Sequence, residues 1–193
     1  MAEVRLQGPD GALENPTLVE GFPGVGLVGK IATDHLVDEF DMELYGTVHC
    51  DSLAPIGVYH EGERTIQPPV RIYAAPDEDL VALQSDIPVN SAAVAEFADC
   101  LVSWLDEENV TPIFLSGLPA EKSGVPELFG IATGDAGGQL DDVDIDGREV
   151  TRSSARRRDA IERRLHADDR SVGVDAVVAQ DKVYLRAPAR WNV

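Results

Sequence analysis

The chain is short of lysine, cysteine and long apolar runs. Its 193 residues include three lysines, Lys30, Lys122 and Lys182, and two cysteines. Two cysteines are too few for a disulfide framework, which disfavours the class of small disulfide-rich secreted proteins. No apolar run approaches the roughly 18 residues of a membrane-spanning helix, and no signal peptide precedes Met1. We therefore expect a cytoplasmic protein that does not contact a membrane.

Acidic residues are in large excess. Asp and Glu number 35 against 16 Lys and Arg, which gives a net charge of −19. This charge repels phosphate, so we predict no nucleic-acid partner and no binding to anionic lipid. A carboxylate-rich, lysine-poor surface keeps a protein soluble in molar salt, which predicts a halophilic archaeal source. The alternative is an ordinary acidic cytosolic protein.

The charge is distributed unevenly along the chain. Residues 1–150 hold 6 Lys/Arg and 29 Asp/Glu, whereas residues 151–193 hold 10 and 6. We therefore divide the chain into an α/β domain, residues 1–150, and an Arg-rich C-terminal segment, residues 151–193. This segment either completes the domain or lacks stable order, and its sequence is either divergent or the result of a reading-frame change in the coding sequence. A basic arm for nucleic acid is a weaker interpretation, since molar salt weakens phosphate contacts steeply.

The first fifty residues predict a strand, a glycine-rich turn, a helix and a second strand. The helix has an apolar face that we expect to be buried, formed by Val28, Ile31, Ala32, His35, Leu36 and Phe40. The second strand is predicted at Tyr45–Cys50. Handedness rules imply a right-handed crossover, and we expect the two strands to pair in parallel. Val4 and Leu6 indicate a further strand at the edge of the sheet.

The middle of the chain predicts hairpins and a long helix. Three short apolar runs separated by turn residues, Pro55–His60, Val70–Ala75 and Leu80–Gln84, indicate a mixed sheet. A helix from Asn90 or Ser91 to about Glu108 has one apolar stripe, formed by Val94, Phe97, Ala98, Leu101, Trp104 and Leu105. Another strand is predicted at Pro112–Ser116. The predicted fold is a single three-layer α/β/α domain with a mixed central sheet.

The glycine-rich turn contains the spacing G-x-G-x-x-G at Gly24, Gly26 and Gly29, followed by Lys30. This spacing is typical of dinucleotide binding, in which the backbone approaches a pyrophosphate. If any cofactor binds, these four residues are the candidates. The interpretation that we favour is structural, because the same glycines allow a helix to pack tightly against a strand.

Other patterns do not amount to a catalytic or metal site. The acids at Asp142, Asp144 and Asp146 match half of a calcium loop, but Ser153 stands where the loop needs a bidentate Glu. We interpret them as a solvated acidic turn. No pair of Cys or His has zinc spacing, and no nucleophile elbow surrounds Ser116. We therefore predict no metal, no cofactor and no catalytic residue.

Several short blocks resemble one protein family. They are Gly21-Phe-Pro-Gly-Val-Gly-Leu-Val-Gly-Lys-Ile-Ala, Asp51-Ser-Leu-Ala-Pro, Pro69-Val-Arg-Ile-Tyr, Asp79-Leu-Val-Ala-Leu-Gln-Ser-Asp-Ile-Pro-Val, Phe114-Leu-Ser-Gly-Leu-Pro and Gly130-Ile-Ala-Thr. In order and spacing they resemble the PAC2 family, the archaeal and bacterial relatives of eukaryotic proteasome assembly chaperones. Older labels attach this family to the ATP-grasp superfamily. The resemblance implies an α/β/α fold and a non-catalytic protein that binds proteasome α subunits and self-associates as a homo-oligomer.

The resemblance leaves three alternatives for how the chain acts. As an assembly chaperone, it would either present Phe22, Pro23 and Val25 to a partner or use the turn only as a structural crossover. The main alternative is a nucleotide-binding enzyme, ATP-grasp-like or dinucleotide-binding, that uses the glycine-rich turn at residues 21–30. A third is a scaffolding module that acts through the Arg-rich segment.

Overall fold

The computed structural model describes residues 2–8, 12–59 and 64–118, together with the strand backbones at 129–132, 146–147 and 183–188. Its main sheet has six strands: β1 (Ala2–Leu6), β2 (Thr17–Gly21), β3 (Glu43–Cys50), β4 (Val70–Ala75), β5 (Leu80–Ser85) and β6 (Thr111–Phe114). They lie in the order β1-β3-β4-β5-β2-β6. The pairs β5–β2 and β2–β6 are parallel and the other three are antiparallel. The predicted mixed sheet is confirmed.

One predicted strand pairing is wrong. Strands β2 and β3 were expected to be parallel neighbours, but the β4–β5 hairpin lies between them. The two strands still run in the same direction, because two antiparallel steps and one parallel step separate them. The β-α-β pattern fixes strand direction, whereas adjacency depends on the later hairpin, which is not part of that pattern.

The second long helix, α2 (Val94–Glu107), packs as predicted. All six residues of its apolar stripe are buried. They join a core with alternate residues of the strands, including Leu18, Ile72, Val81 and Leu83. Before the helix, the Asn90 side-chain oxygen accepts hydrogen bonds from the N–H groups of Ala92 (3.0 Å) and Ala93 (3.1 Å). Asn90 therefore acts as the predicted cap of the turn that leads into α2.

The first long helix, α1 (Val28–Glu39), covers the opposite face of the sheet. A second apolar cluster formed by Met42, Ala75 and Ala82, with Leu36 and Val37 packed against it, lies on this side. Ala82 alternates with Val81 and Leu83, so the two clusters lie on opposite faces of β5. The structure is thus helix, sheet, helix, and the predicted three-layer α/β class is confirmed.

The predicted buried face of α1 is wrong in part. Val28, Gly29 and Thr33 are buried, whereas Ile31, His35 and Phe40 are exposed. A helix turned by about one residue relative to the prediction explains the difference, because Gly29 and Thr33 then face β2. Two close-packing residues, rather than the larger apolar ones, set the orientation of α1.

The connection between β3 and β4 contains less regular structure than predicted. Among the described residues of the run Pro55–His60, only Val58 is paired with another strand-like segment, in an isolated antiparallel bridge with Gln67. Ile56, Tyr59 and Ile66 are large exposed side chains in this connection. His60 lies outside the described residues.

A second, four-stranded sheet follows β6. Its strands are β7 (Ser116–Leu118), β8 (Phe129–Ala132), β9 (Asp146–Gly147) and β10 (Val183–Pro188), in the order β7-β10-β8-β9. Strand β10 belongs to the Arg-rich segment and pairs with both β7 and β8. The other residues of that segment, and Asp142, Asp144 and Ser153 of the calcium-like pattern, lie outside the described residues.

Among the described residues, no helix combines the length and the apolar character that crossing a membrane requires.

Candidate functional site

The candidate site lies where β2 and β5 end. The turn after β2, residues 22–27, leads into α1, and we call it the glycine turn. Asp86 directly follows β5, and β7 continues from β6 beside the turn. In open α/β sheets, ligands and partners commonly bind at the carboxyl ends of parallel strands, so the glycine turn occupies the expected place for a site.

Two glycines of the G-x-G-x-x-G spacing are required by the fold itself. Gly26 has φ of 67°, a left-handed conformation that favours glycine. A Cβ on Gly29 would lie 3.1 Å from the carbonyl oxygen of Leu115 and 3.4 Å from that of Glu20. Gly24 is extended (φ −160°), a conformation that any residue adopts. The spacing is therefore explained largely by helix–strand packing.

The glycine turn also lies directly against β7. A Cβ on Gly117 would be 2.0 Å from the carbonyl oxygen of Val25. The two backbones approach so closely because residue 117 has no side chain. On this side, the turn packs against the protein's own chain.

Phe22 is not placed where a partner could reach it. Its side chain is 2% exposed, and its ring packs edge-on against Phe97 with the ring centroids 5.5 Å apart. Its backbone N–H donates to Glu20 Oε1 at 2.8 Å. Phe22 therefore belongs to the core on the α2 side, which corrects the expectation that it is offered to a partner, while Pro23 and Val25 stay half-buried.

Leu27 is a residue that the sequence patterns did not single out. It precedes α1 at the N-cap position with φ of 53° and ψ of 24°, and its side chain is 50% exposed. A left-handed conformation costs an L-residue about 1–2 kcal/mol. Asn or Gly would suit both the backbone conformation and the cap better.

Ile31 lies one turn after Leu27 on the same face of the helix, and it is 38% exposed. With the half-buried Pro23 and Val25, these two side chains form what we call the apolar patch. The patch spans the glycine turn and the first turn of α1. It therefore contains two of the three residues predicted to contact a partner.

Lys30 lies beside the patch and is already paired. Its Nζ is 2.6 Å from Asp34 Oδ1 and 2.8 Å from Asp34 Oδ2. Asp34 Oδ1 also accepts a hydrogen bond from Gln84 Nε2 at 2.8 Å, which ties α1 to β5. Lys30 Nζ lies 3.8 Å from Asp86 Oδ1 as well.

Asp86 connects this group to a buried arginine. Arg71 is 1% exposed, and its Nη1 donates to Asp86 Oδ2 at 2.6 Å and to the Pro68 carbonyl oxygen at 3.0 Å. Its Nε donates to the Tyr73 hydroxyl at 3.0 Å. Burial opposes the charged form, but the hydrogen bond to Asp86 and the nearby Tyr73 outweigh it, so the pKa of Arg71 is raised.

The two cations and two carboxylates balance each other, and together with Gln84 and Tyr73 we call them the charge network. It ties α1 to β5 through Gln84 and, through Asp86, to Arg71 on β4. A nucleotide phosphate at the glycine turn would compete with Asp34 for Lys30, because both carboxylate oxygens already contact its ammonium group. The arrangement fits a rigid support better than a phosphate cradle.

A smaller polar cluster lies on the α2 side. The Cys50 thiol donates to Glu96 Oε2 at 3.3 Å, and the Ser52 hydroxyl donates to the same oxygen. Burial raises the pKa of the Cys50 thiol, and Glu96 raises it further. A raised pKa lowers the thiolate fraction and hence the reactivity of Cys50. In the part of the chain that the structure describes, no group of three or more His, Cys, Asp or Glu side chains is placed to hold a metal ion.

Residues 18–178 match the model of the PAC2 family. The chain belongs to the PAC2 family. Over 120 residues it is 33% identical to the uncharacterized protein MJ0106 of Methanocaldococcus jannaschii, covering 62% of this chain and 48% of that protein. Over 121 residues it is 26% identical to proteasome assembly chaperone 2 of Danio rerio, covering 59% and 46%. The chain thus spans about half the length of these curated relatives.

Solved structures of the PAC2 type share the fold. PbaA of Pyrococcus furiosus, an archaeal homolog of proteasome-assembly chaperone, superposes with a TM-score of 0.70 at 26% identity, covering 96% of this chain and 76% of PbaA. PbaB of the same organism, an archaeal proteasome activator, gives a TM-score of 0.62 at 16% identity, covering 97% and 80%. The PAC2 resemblance is therefore confirmed, and the predicted archaeal source agrees with the relatives from Methanocaldococcus and Pyrococcus.

Proposed function

We propose that this PAC2-family chain is a proteasome-assembly-chaperone-like protein that binds proteasome α subunits through the apolar patch and self-associates, without catalysis. Family membership and the likeness to PbaA and to proteasome assembly chaperone 2 support a chaperone-like role. In this proposal the patch covers an assembly surface on the α subunit and leaves it when later subunits arrive.

The assignment of the apolar patch as the binding surface rests on the conformation and exposure of Leu27. The residue is half-exposed, so it contributes little burial, and it occupies a backbone conformation that favours Gly or Asn. Backbone strain of this kind is typically kept where function requires a particular side chain. A leucine at this position is unfavourable for the isolated fold, and contact with a partner offsets that cost.

The surroundings of Leu27 suit a protein partner. Leu27 and Ile31 are exposed apolar side chains, and Lys30 and Asp34 border them. Exposed apolar groups with a polar rim are typical of protein-binding surfaces. The charge network beneath holds α1 in place, so the patch is preorganised and loses little conformational freedom on binding.

The nucleotide-binding alternative has less support. Lys30 is held by Asp34 on both oxygens, and Gly29 is used for packing between the helix and the neighbouring backbone. A phosphate at Gly24–Lys30 would compete with Asp34 for the ammonium group of Lys30. A thermal shift with ATP or NAD would nevertheless favour this alternative, and it belongs in the same set of experiments.

The test is the affinity of the full chain for purified proteasome α subunits from the same organism, measured in molar KCl. Leu27→Asn keeps the left-handed cap but removes the apolar contact, and Ile31→Ser removes its neighbour. We expect each variant to weaken binding at least about fivefold, as loss of a central interface side chain does. Phe40→Ser, which changes an exposed apolar side chain at the opposite end of α1, is the matched control and should bind as the wild type does. Equal affinity of all four proteins would overturn the assignment of the patch.

A further inference from the structure

Strand β1 forms one edge of the six-stranded sheet. It pairs with β3 on its inner side, and no strand among the described residues pairs with its outer side. An open edge exposes backbone donors and acceptors that pair readily with another strand. Proteins commonly protect such an edge with charged side chains. The charged side chains of β1 therefore determine which strand can pair with it.

The backbone of β1 presents alternate residues outward. The Gln7 N–H donates to the Tyr45 carbonyl oxygen at 2.7 Å, just beyond the strand. In the same register Arg5 faces Thr47 and Glu3 faces His49. Because hydrogen-bonded positions alternate in an antiparallel ladder, Glu3 and Arg5 bond inward to β3. The N–H and C=O groups of Ala2, Val4 and Leu6 therefore point to the open side.

The side chains of β1 are sorted by face. Val4 and Leu6 pack against the core on the α2 side. Glu3 and Arg5 are exposed on the other face and pair with each other along the strand. Glu3 and Arg5 are two residues apart on this face. When two copies of β1 pair antiparallel, Glu3 of one copy can therefore stand opposite Arg5 of the other.

We propose that β1 pairs antiparallel with β1 of a second copy of this chain, about a two-fold axis at Val4. In this register Val4 faces its own copy as a hydrogen-bonded pair, and Ala2 faces Leu6. Glu3 then stands opposite Arg5 of the second copy at a non-hydrogen-bonded position, where side chains approach most closely. The contact is isologous, so both ion pairs form at once.

The charges also select this register over its neighbours. A shift by two residues in one direction places Glu3 opposite Glu3, and in the other direction Arg5 opposite Arg5. Both arrangements oppose like charges, which destabilises a strand pair. Only the register centred on Val4 pairs opposite signs.

The acidity of the chain favours this edge over other surfaces. Two copies at −19 each repel, so contact is least unfavourable where the local charge is zero. Glu3 and Arg5 cancel within the strand. The inference rests on the self-association part of the proposed function and does not depend on binding to α subunits.

The test is the dimerisation constant of the full chain, measured by sedimentation equilibrium at the lowest KCl concentration at which circular dichroism shows a folded chain, because molar salt screens exposed ion pairs. Arg5→Glu opposes carboxylates at both ion pairs and should weaken the dimer at least about tenfold. The double variant Glu3→Arg/Arg5→Glu reverses both signs and should restore the wild-type constant. Val4→Pro removes an outward N–H, leaves the bonds to β3 intact and should abolish the dimer.

Three outcomes would overturn the inference: a wild-type chain that stays monomeric at millimolar concentration, a dimer unaffected by Arg5→Glu, or a double variant as weak as the single one. Circular dichroism checks that each variant folds. The affinity of the same variants for α subunits is measured in parallel. Because β1 is not part of the apolar patch, loss of the dimer with α-subunit binding retained separates this inference from the assignment of the patch.

Discussion

The two long helices both have an amphipathic sequence, yet only one packs as its pattern predicts. In α2, all six residues of the predicted apolar stripe are buried. In α1, Ile31, His35 and Phe40 of the predicted stripe are exposed, and Gly29 and Thr33 are buried instead. Amphipathicity therefore locates the buried face of α2 in full and that of α1 only in part.

The difference follows from what each helix meets on the sheet. Helix α2 faces an apolar side of the sheet that includes Val81 and Leu83. Helix α1 meets β2 at Gly21, where a Cβ would lie 1.8 Å from Thr33 Oγ1, and its Asp34 and Lys30 meet Gln84 of β5 and Asp86 just after it. Close backbone packing and the charge network fix α1 against the sheet, and Ile31 is left exposed while Val28, Leu36 and Val37 pack inward.

Truncating an apolar residue on each helix should show the largest contrast. Phe97→Ala on α2 removes a fully buried ring that packs against Phe22, and should lower the free energy of unfolding by about 3–5 kcal/mol. Ile31→Ala on α1 should change it by no more than about 0.5 kcal/mol. Denaturant unfolding in molar KCl measures both. Similar losses for the two variants would mean that α1 is buried as the sequence pattern predicted.

The charge network should give the next largest effect. Asp86→Ala leaves the buried Arg71 without its carboxylate partner, and should lower the free energy of unfolding by about 3 kcal/mol. Asp34→Ala, at the more exposed end of the network, should cost less than about 1 kcal/mol. Denaturant unfolding of the two variants gives the comparison. An Asp86 variant as stable as the wild type would show that the network does not hold α1 to the sheet.

Glycine substitutions should change the free energy of unfolding by a smaller amount. They distinguish a position where a side chain would clash from one where any residue fits. Gly21→Ala places a methyl group against Thr33 and should lower the free energy of unfolding by about 1–3 kcal/mol. Gly24→Ala, at an extended position, should change it by no more than about 0.5 kcal/mol. Thermal unfolding of the pair is sufficient. A Gly24 variant less stable than the Gly21 variant would contradict the close packing of α1 against β2.

Local sequence patterns predicted most of the fold but few of the contacts in the candidate site. The stripe of α2 and the β4–β5 hairpin depend on neighbouring residues, so periodicity and turn residues predicted them. The charge network depends on contacts across the sheet, since Asp34 accepts a hydrogen bond from Gln84 and Lys30 faces Asp86, each at least fifty residues further along the chain. Arg71 did give a signal, because a charged residue inside an apolar strand requires a buried partner.

The conformation of Leu27 could not be predicted in the same way. Leucine rarely adopts positive φ, so its sequence gives no warning of a left-handed cap. The close approach of Gly117 to the glycine turn appears only once the chain is folded. The packing of the glycine turn is therefore known only from the structure. The family, in contrast, was predicted by the order of the PAC2-like blocks in the sequence.

The most direct test of the central claim is amide hydrogen exchange of the chain with and without purified proteasome α subunits. The proposed function predicts added protection at residues 23–31, covering the glycine turn and the first turn of α1, with α2 unchanged because its apolar side is already buried. Protection confined to α2, or the absence of any change at residues 23–31 in a complex shown to form, would contradict the claim that the exposed face of α1 is the binding surface.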